Sequence, residues 1–355
     1  MIHSLQLIGS RGPGGAERFF CRLVNALHSD KQEVIAISPG NSAVAGELGR
    51  SVSQYHLPFR SVLDLYTRWR ISALVGKLQP VIVQTWLGRA TRLTHLPAGQ
   101  CPIHIARLGG YYRPHAYRHA HAWVGNTRGI CDYLVRQGFP PARVFHIGNF
   151  VPLAARISTR ERHSLRRALG LDTDAFVIIA AGRIHEVKGF VDLVNAFTRL
   201  PDEIGGRPKH LLIVGDGPAR GNLETAIRHA GLEERITLTG WLSDPADCYD
   251  LSDLFISPSR QEPLGNVILE AWSHHLPVIA TRTAGALELV DPGRNGLLVP
   301  CQSESDLATA IQALATDAAA REEMVKSGRD TVGRYYSESV IVSAYREMYD
   351  RLAGR

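Results

Sequence analysis

The chain has few of the features that would place it in a specialised class. Its five cysteines (Cys21, Cys101, Cys131, Cys248 and Cys301) are scattered, odd in number and never spaced C-x-x-C. This pattern suits reduced thiols and excludes a disulfide framework or a cysteine zinc site. No apolar run reaches the roughly 18 residues of a spanning helix, and the N-terminus opens on a strand-like segment with neither a basic region nor a small-residue cleavage site, so no signal peptide is expected. H-E-x-x-H, G-x-S-x-G and the P-loop lysine motif are all missing, as are a Cys/His nucleophile pair, an internal repeat and a low-complexity tail. His104, His115, His119 and His121 lie close in sequence without metal-ligand spacing, so no metal site is expected.

What is present is an ordinary globular composition over 355 residues, 45% hydrophobic and 21% charged, long enough for two cores. The charge is uneven. Residues 1–150 hold 17 Lys and Arg against 6 Asp and Glu, and the remainder holds 23 against 28. A basic half suggests an anionic counterpart: nucleic acid, a phosphorylated glycolipid or an anionic membrane surface. The plain alternative is an arginine-rich solvated surface.

Short apolar strands alternate with helical stretches, which predicts α/β architecture with mainly parallel sheets. The first series places strands at Ile2–Ile8, Glu33–Ser38, Val81–Thr85, Ile103–Arg107, Ala122–Gly125 and Val144–Ile147. Helices are expected at Gly15–Leu27, with an apolar stripe through Phe19, Phe20, Leu23, Val24 and Leu27, and at about Val62–Leu78. After an arginine-rich stretch with one helix, a second series places strands at Ala175–Ala181, His210–Val214, Ile236–Thr239, Asp253–Ile256, Pro277–Thr281 and Gly296–Val299. The expected division is a first domain at 1–152, a linker at 153–174, a second domain at 175–334 and a final helix at 335–355. Two such domains leave a cleft, the usual place for a ligand.

The run Ser257-Pro-Ser-Arg-Gln-Glu-Pro-Leu-Gly-Asn-Val-Ile-Leu-Glu270 ends a strand and opens a helix at a glycine, an arrangement that offers backbone N–H groups to phosphate. Glu262 and Glu270 bracket the turn. Carboxylates beside a phosphate site make sense where hydroxyl-rich groups flank the phosphates, as sugar and ribose do in a nucleotide-diphosphate sugar. Eight helical residues rise about 12 Å, roughly that span. Gly182-Arg-Ile-His-Glu-Val-Lys-Gly189 follows another strand and sets Arg183 and Lys188 where doubly wound sheets bind ligands. Read alone, those cations are equally well surface charges. Gly215-Asp216-Gly217-Pro218 imitates a dinucleotide fingerprint but has the wrong spacing and no ribose-binding acid downstream, so it reads as a tight loop near a phosphate. Gly12-Pro-Gly-Gly-Ala-Glu-Arg18 opens the first helix with three glycines in four residues. Arg107-Leu-Gly-Gly-Tyr-Tyr-Arg113 offers Arg107, Tyr111, Tyr112 and Arg113 either to an acceptor or as a mobile surface loop.

Together these motifs resemble the family 4 retaining glycosyltransferases (glycosyltransferase group 1), which have two facing Rossmann-like doubly wound domains of GT-B type. The resemblance rests on Gly14-Gly15-Ala-Glu-Arg18, Gly182-Arg183…Lys188-Gly189, Gly215-Asp-Gly-Pro218, Glu262-Pro-Leu-Gly-Asn-Val-Ile-Leu-Glu270, and the downstream Pro277-Val-Ile-Ala-Thr…Gly285…Glu288 and Gly296-Leu-Leu-Val299. It covers some 280 residues. It implies that Arg183 and Lys188 hold the donor diphosphate, that Glu262 faces the sugar and that Glu270 holds the ribose. Backbone N–H groups of Leu264, Gly265 and Asn266 would contact phosphate and sugar. Gly215 and Asp216 would lie near the phosphates and Trp241-Leu242 by the base. Gly14 and Gly15 would approach the diphosphate from the first domain.

Pro263-Leu264, Ala284-Gly285 and the Arg107 stretch depart from the family's usual residues, and the last leaves the acceptor side open. Glu270-Ala-Trp-Ser resembles a variant in enzymes of lipopolysaccharide core assembly. The implied activity is retaining transfer of a sugar from a nucleotide-diphosphate sugar, with UDP the expected carrier, to a hydroxyl of a glycolipid, oligosaccharide, lipopolysaccharide or polysaccharide precursor. No cofactor, metal or nucleic acid would be needed. The implied place is cytoplasmic, peripheral on the inner face of the cytoplasmic membrane, with the basic first domain toward an anionic lipid surface. A sugar phosphorylase or nucleotide-sugar epimerase on the same fold, a nucleotide-binding oxidoreductase and a non-catalytic sugar-binding protein stay open as alternatives.

Overall fold

The computed structural model describes residues 3–12, 14–97 and 102–354. Ile2, Pro13 of the glycine loop and Cys101 lie outside the described residues. The chain divides into two compact units, one formed by Met1–Phe150 with Glu338–Arg355 and the other by Val151–Ser337.

The first unit is built on seven parallel strands: β1 (His3–Ile8), β2 (Glu33–Ser38), β3 (Ser53–His56), β4 (Ile82–Trp86), β5 (Ile103–Leu108), β6 (Ala122–Gly125) and β7 (Val144–His146). Their order is β3-β2-β1-β4-β5-β6-β7. Central β1 sets Leu5 between Ile35 and Val83, and both faces of the sheet are covered. This is why its central strands are near-continuous apolar runs without alternation. On one face the helix Gly15–Ser29 buries Phe19, Phe20, Leu23, Val24 and Leu27. The final helix, Glu338–Ala353, packs against the same cluster through Ile341, Val342, Tyr345, Met348 and Tyr349. Buried polar groups fix its seat: Gln6 Nε2 donates to the Tyr349 hydroxyl at 3.1 Å, that hydroxyl donates to Gln84 Oε1 at 3.0 Å, and Trp86 Nε1 donates to Gln6 Oε1 at 3.1 Å. These bonds give both ends of the Gln6 amide, the Tyr349 hydroxyl, the Trp86 indole N–H and Gln84 Oε1 a partner that an apolar core would not supply.

The second unit holds β8 (Phe176–Ala181), β9 (Glu203–Ile204), β10 (Arg207–Val214), β11 (Ile236–Gly240), β12 (Leu254–Ser257), β13 (Val278–Thr281) and β14 (Leu297–Val299). The parallel order is β11-β10-β8-β12-β13-β14, with β9 added antiparallel to β10. The arginine-rich stretch before β8 forms the helix Thr159–Ala168, capped by a Ser158/Glu161 capping box. Its Arg166 is buried. The guanidinium donates to the carbonyls of Leu251 (2.9 and 2.8 Å), Thr173 (2.7 Å) and Ala175 (2.9 Å), and to Asp253 Oδ2 (2.8 Å). Burial lowers the pKa of this guanidinium, and Asp253 opposes that shift.

One boundary differs usefully from the sequence expectation. The helix expected from Val62 begins at Leu65, because Asp64 caps it: its carboxylate accepts from the N–H of Thr67 at 3.0 Å and of Arg60 at 2.9 Å. Val62 and Leu63 therefore stand outside the helix and exposed.

Candidate functional site

In both sheets the strand order reverses beside the first strand of the unit, between β1 and β4 and between β8 and β12. Ligands of doubly wound sheets bind outside the C-terminal strand ends at such a reversal. The loops after β8 and β12 carry Arg183, Lys188, Glu262, Leu264 and Gly265, and the helix that follows β12 carries Asn266 and Glu270, so the second unit brings these candidates to one end of one sheet. The ladder between β8 and β12 pairs Ile178 with Leu254 and Ile179 with Phe255, and both strands run on beyond it toward the site.

The loops there are fastened to one another through their backbones. Gly182 N–H donates to Val214 O at 2.9 Å, Ile184 N–H to Asp216 O at 2.9 Å, and Gly215 N–H to Gly240 O at 3.0 Å. Arg260 N–H donates to Val187 O at 2.8 Å, and Gly285 N–H to Glu262 O at 2.8 Å. Two glycines permit this density. Gly215, at φ +141°, would set a Cβ 1.9 Å from Gly182 O; Gly189, at φ +66°, would set one 2.0 Å from Pro258 O. No side chain fits either place. The Gly215–Pro218 sequence is thus the clamp that holds the β8 and β10 loops together. Asp216 is exposed, with Oδ1 accepting from Gly217 N–H at 2.7 Å.

Lys188 Nζ forms an ion pair with Glu262 Oε2, with both side chains largely but not wholly buried. The loop behind Glu262 is held by Arg260, whose guanidinium grips the Asp192 carboxylate in bidentate fashion at 2.6 and 2.8 Å. Eight residues beyond Glu262, the Glu270 carboxylate accepts from the Tyr249 hydroxyl at 3.2 Å. The Tyr249 ring stacks on His274 at 5.3 Å, and His274 Nδ1 lies 2.7 Å from Asp250 Oδ1. Arg183 and Trp241 are exposed, Leu242 is half-buried, and Gly265 caps the helix Asn266–Ser273. Asp192, Arg260 and Tyr249 escape the sequence reading, since each acts through a partner at least 21 positions away. The Glu-Ala-Trp tripeptide has a structural role: Trp272 is fully buried against Gly328 and donates from Nε1 to Asn295 O at 2.8 Å.

In the first unit, Gly14 precedes the helix Gly15–Ser29 in extended backbone. The expected acceptor group separates into two parts. Arg107 lies on β5 and is 3% exposed; its guanidinium sits 4.7 Å from the Phe19 ring and 4.5 Å from the Trp86 ring. Nε donates to the Tyr345 hydroxyl at 2.9 Å and Nη2 to Asn149 Oδ1. These contacts correct the sequence expectation for this residue. Arg107 pins the final helix to the sheet and is not presented by the loop. Tyr111, Tyr112 and Arg113 are exposed, with Tyr111 edge-on to Tyr133 at 5.5 Å and Tyr112 stacked on Tyr117 at 6.0 Å. His95, His104 and His119 do meet, with the first and third rings stacked at 4.1 Å, but no group of His, Cys, Asp or Glu among the described residues could hold a metal ion. No helix among the described residues is long and apolar enough to cross a membrane.

Solved structures share this architecture over its whole length. The structure of Anabaena HepE in complex with UDP-glucose superposes with a TM-score of 0.84 at 20% identity, covering 100% of both chains. A glycosyltransferase from Rickettsia africae gives 0.85 at 19% identity, covering 99% of this chain and 98% of that one. Two parallel α/β sheets of this kind are the GT-B fold that these structures share. Sequence profiles described as "Glycosyltransferase Family 4" and "Glycosyl transferases group 1" match residues 13–155 and 175–317. The lipopolysaccharide core biosynthesis glycosyltransferase LpsD of Rhizobium meliloti is 33% identical, over 95% of each chain. The chain belongs to glycosyltransferase family 4 and is a glycosyltransferase.

Proposed function

We propose that the enzyme transfers a sugar from a UDP-sugar to a hydroxyl of a lipopolysaccharide core or related glycolipid precursor, with retention of anomeric configuration. The observation that carries this reading is the placement of the Lys188–Glu262 pair and Arg183 at the β8/β12 reversal, with Glu262 four residues before the helix that starts at Asn266. Cations, helix N–H groups and a sugar-facing carboxylate suit a diphosphate with a hexose at one end and a ribose at the other. The core-biosynthesis name of LpsD and the UDP-glucose complex of HepE support the acceptor and donor classes.

In this reading Arg183 and Lys188 bind the diphosphate with the N–H groups of Leu264, Gly265 and Asn266. Glu262 orients the sugar and Glu270 takes the ribose hydroxyls, positioned by Tyr249. Leu242 lies by the base, and Gly215 and Asp216 near the phosphates. The roles of Gly14 and Gly15 rest on the family resemblance alone. The acceptor oxygen attacks the anomeric carbon on the face from which UDP departs. The C1–O bond to the diphosphate breaks, and the acceptor proton passes to the leaving phosphate oxygen. The cationic first half of the chain supports a negatively charged acceptor and a peripheral site on the cytoplasmic membrane.

Thermal shifts with UDP-, GDP-, ADP- and TDP-sugars test the donor: the largest stabilisation is expected from a UDP-sugar. The anomeric proton coupling of the product, read by NMR, is expected to match the donor's. An inverted product, or a sugar phosphate made with inorganic phosphate, contradicts the reading.

A further inference from the structure

Five of the fourteen exposed large apolar side chains among the described residues fall within eight positions: Val62, Leu63, Leu65, Tyr66 and Trp69. Leu63 is 82% exposed, Leu65 75% and Trp69 61%. This segment lies in the first unit, after β3, at the start of the helix Leu65–Leu78. Its exposure does not come from loose backbone. Asp64 ties Arg60 and Thr67 to one carboxylate, the Thr67 hydroxyl donates to Asp64 Oδ2 at 2.7 Å and accepts from Phe59 N–H at 3.2 Å, and Leu63 N–H reaches Ser61 Oγ at 3.1 Å. Underneath, Arg89 Nη1 holds the carbonyls of both Phe59 and Gly9, and Arg11 holds that of Pro58. A fully buried Phe59 and Ile71 anchor the two ends. In this segment the polar scaffold faces inward and the apolar side chains point out, whereas further along the same helix Ile71, Leu74 and Val75 pack into the core.

The charges interleaved with them have one sign in excess. Residues 60–77 carry Arg60, Arg68, Arg70 and Lys77 against Asp64 alone, and both Asp64 oxygens are occupied by the loop's own donors. Arg70 lies 5.8 Å from the Trp69 ring, and Tyr66 and Trp69 sit 6.2 Å apart. Aliphatic tips, two amphipathic aromatics and flanking guanidiniums are the combination that settles at the headgroup level of an anionic bilayer. A soluble partner protein would not require this charge excess, which extends through residues 1–150.

We infer that Val62–Trp69 is the segment by which this enzyme docks on an anionic lipid surface, its apolar tips entering the acyl boundary and Arg60 and Arg68 meeting lipid phosphates. The same bonds that hold the segment also reach the loop after β1: Arg89 bridges Gly9 to Phe59. Docking therefore sets the glycine-loop end of the first sheet toward the membrane, where a lipid-linked acceptor is found. The inference rests on the lipid-linked acceptor reading above.

Co-sedimentation of the full chain with vesicles of phosphatidylcholine, alone or mixed with phosphatidylglycerol, tests it at low and high salt. Wild type is expected to bind the mixed vesicles, less so at high salt. Leu63→Ser/Leu65→Ser/Trp69→Ser should weaken that binding at least about tenfold. Arg60→Glu/Arg68→Glu should weaken it and flatten its salt dependence. Both variants should keep the wild-type thermal shift with UDP, which separates failure of the docking surface from failure of the donor site. Wild type that ignores anionic vesicles, a triple-serine variant that binds them as wild type does, or one that changes oligomeric state and not vesicle binding overturns the inference.

Discussion

Lys188 and Glu262 stand 74 positions apart and meet through an ion pair at the end of one sheet. Sequence spacing suggested their residue types and their positions after strands, but it could not show that the two touch. That contact follows from β8 and β12 being neighbours, a long-range pairing decided by the whole sheet. Arg107 shows the opposite outcome: a residue that reads as an exposed loop cation is sealed between two aromatic rings, Asn149 and Tyr345. Tyr345 lies 238 positions away, beyond the reach of local pattern. Among titrating residues, His210 is instructive. Burial, helped by the charge of Arg235, lowers its pKa from 6.5 to about 4, and its Nε2 lies 2.9 Å from Thr237 Oγ1. The folded pKa is depressed, so between about pH 6.5 and about 4 the unfolded chain takes up a proton that the folded chain refuses. Its stabilising contribution is therefore complete above the unfolded pKa and is lost as pH falls through that window, by up to roughly 3 kcal/mol. His210→Gln should flatten the pH dependence of urea midpoints in that window; an unchanged slope would count against the assignment.

At the scale of elements, periodicity and punctuation were enough to read most strands. Glu33–Ser38 and Ala122–Gly125 coincide with β2 and β6, because strands buried on both faces are short apolar runs closed by glycine, serine or proline. β3, with the sequence Ser-Gln-Tyr-His, gave no such signal, since it is an edge strand and only half-buried. The helices Leu87–Leu93, Arg128–Arg136 and Ala284–Leu289 were also illegible. They are short, and their places are set by packing and by caps such as Thr127 and Thr283 rather than by a long apolar stripe. The stretch from Leu153 to Asp174 showed its helix but not the purpose of its arginines. Arg166 joins that helix to β8 and to the residues before β12 by hydrogen bonds to three carbonyls and Asp253. Arg166→Leu leaves those three carbonyls short of a buried donor, while Asp253 keeps Arg207, Arg162 and the N–H of Val177. The expected cost is about 3–5 kcal/mol, seen as a fall in Tm of roughly 6–20 °C. A Tm within about 2 °C of wild type would mean that the network is replaceable.

At the scale of the molecule, each unit repeats the same solution: a parallel sheet whose order reverses beside its first strand, with glycine-rich loops at the reversal. The motifs proposed for the donor side are legible in sequence because close backbone contacts demand glycine there, as at Gly189 and Gly215. The acceptor side has no such demand and reads poorly, both in sequence and in the loop around Tyr111 and Tyr112. The proposed transfer rests on Glu262 as the carboxylate that would face the donor sugar, a side chain held by Lys188, by Arg260 on Asp192 and by the Gly189–Pro258 contact. Its most direct test is the rate of sugar transfer by Glu262→Ala at saturating donor, measured beside the Tm of the same sample. The account predicts a loss of at least about 10²–10³ in rate with the fold retained. Transfer near the wild-type rate by a folded Glu262→Ala enzyme would contradict it.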